Sequence, residues 1–247
     1  MMKHFLIFIL SLGFFINLQA QKKDKGSEQG TNKELSSTDN SEYELQKSIA
    51  LMALKYNDAM VAKNSLYKMI ALRPERKDLM DSLAYLYYQM GSYTECILVS
   101  RELLADNPEN IGLLEIKAVS EQNLGLTKLA LEDYEVLYPK TKSIYHLYQI
   151  AGLQYDLKRF GECNLSIQAL LQDEKLKESK IQIFLGQGQS QEVPMEAGIY
   201  NMQGMILLNL NKEAEAETKF NKALELEPDF LLPKNNLEAM KKGKDGS

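Results

Sequence analysis

Between residues 43 and 230, apolar and polar positions fall into register when the chain is laid out at a period of 34 residues. Pro74 and Pro108 lie 34 apart and close the helical runs ALRP and ADNP, while KALELEP ends at Pro228. With those prolines at position 32, the windows are 43–76, 77–110, 111–143, 144–177 and 197–230, the third one residue short. Position 8 then holds Ala50, Ala84, Ala118, Ala151 and Gly204, and position 20 holds Ala62, Cys96, Ala130, Cys163 and Ala216. Alanine, glycine and cysteine make up about one residue in seven, so ten small residues at ten positions lie well beyond chance. Larger apolar residues surround them, with Leu66, Tyr134, Ile167 and Phe220 at position 24 and Met69, Leu103, Leu137, Leu170 and the smaller Ala223 at position 27. Each window therefore predicts two helices, joined by a turn near position 15 at Asn57, Gly91, Gly125, Lys158 and Asn211. Antiparallel helices approach closely only where small side chains face each other, and one pair cannot bury its apolar face alone. The expected class is all-α, a stack of about five helix pairs.

Three stretches leave the period. Residues 178–196 carry Ile181, Ile183 and Phe184 in near alternation, then the turn-like GQGQS, then Glu192-Val193-Pro194. This insert reads either as a small β-hairpin between the fourth and fifth windows or as an extended loop, because an isolated hairpin is marginal in water. After Pro228, residues Phe230 to Lys242 predict one more helix, whose Leu231, Leu232, Leu237 and Met240 can cap the last pair, with 241–247 left as a flexible tail. At the start, Lys3 and His4 precede a fourteen-residue apolar run, Phe5 to Leu18, which ends at the small residue Ala20. That is the pattern of a signal peptide, residues 1–20; an uncleaved anchor is the rival, although the run falls short of the ~20 apolar residues a span needs. Residues 21–42 contain Leu35 as their only large apolar residue and read as a disordered tether. The body of the protein is then 43–240, with no other segment apolar enough to span a bilayer.

The pattern of a bulky residue at 4, Leu-Gly at 7–8, Tyr at 11, Ala at 20, an aromatic at 24, Ala at 27 and Pro at 32 resembles the tetratricopeptide repeat family. Tyr200, Gly204, Leu207, Ala216, Phe220, Ala223 and Pro228 carry it in the last window, and Met80, Leu83, Ala84, Tyr87, Gly91, Tyr93 and Pro108 in the second. The other windows match less well: Lys117 and Glu121 replace apolar residues, and Pro139 arrives three positions early, which predicts a bent junction. The resemblance implies a right-handed α-solenoid with a capping helix, interrupted by the insert. It also implies a concave groove built from positions 2, 5, 9, 12 and 13 of the first helices. Those positions supply Tyr85, Tyr88 and Gln89, then Gln122 and Asn123, then Tyr145, Tyr148 and Tyr155, then Asn201, Met205 and Asn209. Tyrosines, amides and methionine suit adaptable contact with an extended peptide or a partner helix; several of the tyrosines could instead pack between neighbouring first helices. The lysine and asparagine clamp by which some members hold a terminal carboxylate is not reproduced, since Leu51 and Ser82 stand where it wants asparagine.

Charge and candidate chemistry narrow the function. A formal charge of −5 disfavours a nucleic-acid partner, which normally meets a basic face. Beyond the signal peptide His146 is the only histidine, so neither a histidine-rich metal site nor a Ser-His-Asp arrangement is expected. The GQGQSQ segment lacks the third glycine of a dinucleotide fingerprint and the Lys-Ser/Thr of a phosphate loop. No catalytic residue, cofactor or metal site is expected. Cys96 and Cys163 fall two windows apart at position 20 and are expected as unpaired core thiols. The expectation is a bacterial, exported, non-enzymatic scaffold, periplasmic or at the cell surface, whose groove holds a segment of another envelope protein. The insert would be a second contact site. The rival is a carbohydrate-binding or nutrient-uptake accessory, although helical-repeat lipoproteins of that kind carry a lipidated cysteine absent here.

Overall fold

The computed structural model describes residues 37–186 and 188–245, with side chains to Lys242. The expected signal peptide and residues 21–36 of the expected tether lie outside the described residues. The described chain divides into two compact units, 37–120 and 121–245, with the boundary near the end of helix α5. The first unit holds α1 (Ser37–Lys55), α2 (Ala59–Leu72), α3 (Lys77–Gln89), α4 (Tyr93–Asp106) and most of α5 (Ile111–Asn123). The second holds α6 (Thr127–Thr141), α7 (Ile144–Asp156), α8 (Phe160–Leu171), a 3-10 turn at Glu174–Glu178, strands β1 (Lys180–Gly186) and β2 (Gln189–Pro194), then α9 (Met195–Asn209), α10 (Glu213–Leu226) and α11 (Leu231–Asp245). The expected all-α repeat fold with a capping helix is the observed one, and of the two readings of the insert the hairpin is the one formed.

One backbone device ends every first helix. Asn57, Gly91, Gly125, Lys158 and Asn211 all adopt positive φ, between 58° and 71°. Past each of them the amide at position 16 donates to the carbonyl at position 11: Asp58 to Ala53, Ser92 to Tyr87, Leu126 to Glu121, Arg159 to Gln154 and Lys212 to Leu207, at 2.8–2.9 Å. This is the Schellman closure, which satisfies the last carbonyls of the helix while reversing the chain. The returning helix then meets the first at the small positions. Ala62, Cys96, Ala130, Cys163 and Ala216 have no accessible surface, and Ala50, Ala84, Ala118 and Ala151 are buried as well. Contact is direct: the Cys163 thiol donates to the Ala151 carbonyl at 3.2 Å, joining positions 20 and 8 of one window. In the last window the gap left by Gly204 is filled by the ring of Phe220, which a Cβ on Gly204 would strike.

The second unit has one continuous core in which Leu147, Ile167, Leu170, Met202 and Phe230 meet Ile181, Ile183 and Val193 of the hairpin. Burying three such aliphatic side chains contributes roughly 1.5–3 kcal/mol each, enough to order strands that would be marginal alone. The pairing is antiparallel, with Ile181 opposite Val193 and Ile183 opposite Gln191, and a bulge between Phe184 and Gly186. Positive φ at Gly186 and Gly188 lets the chain turn there.

Four boundaries differ from the sequence reading. Helix α1 starts at Ser37, inside the stretch read as tether, because side chains anchor it: Arg73 donates to Asn40 Oδ1 at 2.6 Å, Gln46 to Glu42 at 2.8 Å, and Tyr43 is buried beneath the Arg73 guanidinium. Helix α9 starts at Met195, two residues early, since Met195 itself is buried in the core. Helix α6 runs through Pro139 to Thr141, and Lys142 in the left-handed region ends it. Helix α11 continues to Asp245, into the expected tail.

Two glycines test the packing argument in opposite directions. Gly204→Ala should lower stability by about 1–2 kcal/mol, because crowding the buried Phe220 ring outweighs the ~1 kcal/mol gained in helix propensity. Gly152→Ala, in α7 with open space around the new methyl, should raise stability by about 0.5–1 kcal/mol. Urea midpoints measure both. The cysteines are free and buried, and burial above all pushes the Cys163 thiol up to about 12 and raises that of Cys96. Neither should react with an aromatic disulfide reagent at pH 8 until urea unfolds the chain, and then both should.

Candidate functional site

In the unit 121–245 a cleft of about 760 Å³ opens between the end of α5, α7, α9, β1 and α11. Its aromatic wall is Tyr155 and Phe160, rings 5.8 Å apart and tilted by 41°. Met202 and Met205 of α9 add thioethers, and Phe184 of β1 and Leu232 of α11 add apolar surface.

Amides make up the rest, and they are held in place. Asn209 Nδ2 donates to the Tyr155 hydroxyl at 3.2 Å and to the Met205 carbonyl at 2.9 Å, tying α9 to α7. Asn236 of α11 donates to Asn201 Oδ1 at 3.1 Å. The Tyr134 hydroxyl donates to Gln122 Oε1 at 3.3 Å, and Gln122 Nε2 donates in turn to Gln149 Oε1 at 2.9 Å. Gln149 is only 4% exposed, and its Nε2 is buried without a hydrogen-bond acceptor. That relay fixes which end of the Gln149 amide is left over, and it is the donor.

Asp156 closes α7 at the rim. Desolvation by the packed rim of the cleft pushes the carboxyl up to about 6, although part of the residue stays in water. Burial first, and then the Asp156 charge, raise the neighbouring Tyr155 and Cys163.

Six of the residues expected in the groove line this cleft: Gln122, Tyr148, Tyr155, Asn201, Met205 and Asn209. Tyr148, 2% exposed, is chiefly a packing residue; its hydroxyl sits 2.8 Å from where a Gly198 Cβ would stand, and burial raises its pKa. Asn123 and Tyr145 are half-buried but do not line the cleft, Tyr145 packing on the core. Tyr85, Tyr88 and Gln89 belong to the unit 37–120. There Tyr85 packs its hydroxyl onto Gly112 of α5, between neighbouring first helices, Tyr88 meets the Tyr93 ring at 6.5 Å, and Gln89 is exposed. Gln149, Asp156, Phe160, Phe184, Leu232 and Asn236 also line the cleft and were not among the residues expected in the groove. Asp156 occupies position 13 and was legible in principle; Gln149 stands out only as an amide in an otherwise apolar helical stretch. His146 is buried, with Nδ1 2.8 Å from Thr141 Oγ1 and its ring beside Tyr134.

Paired helices with small contact positions, each closed by the same left-handed turn, define an all-α repeat protein of the solenoid class. Residues 197–230 match the sequence profile of the tetratricopeptide repeat. No curated protein matches the chain. Its fold is similar to YrrB, described as a TPR protein with an unusual peptide-binding site, at TM-score 0.62 and 16% identity over 83% of this chain and 95% of that one. It is also similar to MamA from Desulfovibrio magneticus RS-1, at TM-score 0.58 and 14% identity over 76% of this chain and 96% of that one. Among the described residues no helix is long and apolar enough to cross a membrane.

Asp156 provides a pH test. Its pKa is near 6 folded and 3.8 in the reference state, so the folded protein binds the extra proton. The stability this group contributes is therefore present below about pH 4 and lost as pH rises to 6. Asp156→Asn should stabilise the protein at pH 7.5 and lose that advantage at pH 4, a difference that paired melting curves would report.

Proposed function

We propose that this is a non-enzymatic interaction scaffold, and that the cleft of the 121–245 unit holds a short extended segment of another protein. The observation that carries the reading is the lining itself. Rings, thioethers and tethered amides form a mixed apolar and hydrogen-bonding wall, which suits contact with a peptide and not bond making. The peptide-binding site attributed to YrrB, on a similar fold, supports the same reading. The N-terminal sequence pattern supports export, so the partner would be an envelope protein met in the periplasm or at the cell surface.

A photo-crosslinking phenylalanine analogue at Phe160 or Met205 would test the site in intact cells, with one at Leu165, 67% exposed on α8, as control. A protein adduct from the cleft positions and not from Leu165 is the expected result. Adducts only from Leu165 would move the site, and heat released with soluble glycans but not with the crosslinked partner would favour carbohydrate binding. Tyr155→Ala combined with Met205→Ala should weaken the partner by about tenfold or more while helicity is unchanged, as expected for removing contacts at the centre of an interface.

A further inference from the structure

We propose that the segment held in this cleft binds as a third β-strand, adding to the free edge of β1. The proposal rests on the peptide-binding reading and specifies its geometry. The sheet has two strands, so each pairs on one side only. Alternate residues of β1 therefore direct their backbone N–H and C=O groups away from β2, and no described residue outside β2 bonds the backbone of residues 181–185.

The position of the cleft selects the β1 edge. Ile183 and Phe184 both line it, and successive residues of a strand point to opposite faces. No residue of β2 lines it. A space that touches both faces of β1 and none of β2 runs along the outer edge of β1. That edge also lacks the usual protection against pairing. Between Lys180 and Gly186 it reads IQIFL, with neither charge nor proline, whereas β2 ends in Pro194 and is tied by Gln191 to the Asp229 carbonyl and the Leu231 amide. Five residues of edge span about 17 Å, the length of a short strand.

The occupant's chemistry follows. It is extended and free of proline over about five residues, because alternate amides must donate to β1. Its side chains alternate, apolar ones toward Tyr155, Met205 and Phe230, polar ones outward. The stranded Gln149 donor offers one further bond to a carbonyl at the cleft wall.

The probe is a library of random linear 12-residue peptides displayed on phage and selected on the full chain. Binders that lose affinity on Tyr155→Ala are then synthesised with single N-methylated amides. Strand addition predicts losses of about tenfold at every second residue, the value of one lost backbone hydrogen bond, and little change between them. It also predicts that the amides of residues 181–185 gain protection from hydrogen exchange on alternate positions when the peptide is bound. Losses at consecutive positions or at a three-to-four spacing, with β1 exchange unchanged, would overturn strand addition and leave the cleft as a peptide site of another kind. Failure to select any peptide that depends on Tyr155 would overturn the peptide-binding reading itself.

Discussion

Everything in this fold depends on how closely two antiparallel helices can approach. The ten small residues at positions 8 and 20 set that distance, and the left-handed residue at position 15 aims the second helix at it. Cysteine serves as well as alanine because only volume matters there: Cys163 has no accessible surface and spends its thiol proton on the carbonyl of Ala151. With the backbones that close, the bulkier residues at 24 and 27 fill the space beside the contact, Phe220 against Gly204 of its own pair, and Tyr134, Ile167, Phe220 and Leu137 are all buried.

The hairpin shows a second level of the same logic. Two strands of six and seven residues would not persist in water, yet Ile181, Ile183 and Val193 enter a core already built by α7, α8 and α9. Once anchored, β1 becomes a wall of the cleft. A surface of first helices then gains a backbone edge as well as side chains, and the chemistry it can offer changes from contact alone to directed hydrogen bonding. The insert and the groove, separate in sequence, share one cavity.

The tyrosines illustrate where sequence reasoning reached its limit. Tyr85, Tyr148 and Tyr155 all fall at groove positions, but Tyr85 and Tyr148 spend their rings on Gly112 and Gly198 of the following first helices, while Tyr155 faces the cleft and holds Asn209. A glycine at position 2 of the next window admits a ring, as Gly112 does for Tyr85 and Gly198 for Tyr148, while Tyr155, in the same window as Tyr148 but nearer the end of α7, reaches Asn209 instead.

The repeat length, the small contact positions, the turn residues and the capping helix follow from sequence because they are local and periodic: each is set by residues within one window or its neighbour. The helical start of α1 escaped that reading, since residues 37–42 are polar and become helix through Arg73 and Tyr43, which lie outside the run. The cleft is decided only in three dimensions. It joins α5, α7, β1, α9 and α11, over a hundred residues apart at the extremes, and its free amide at Gln149 exists because Gln122 claims the other end of that side chain. Periodicity can specify which faces are apolar, but it cannot say which hydrogen bonds are left over when those faces meet.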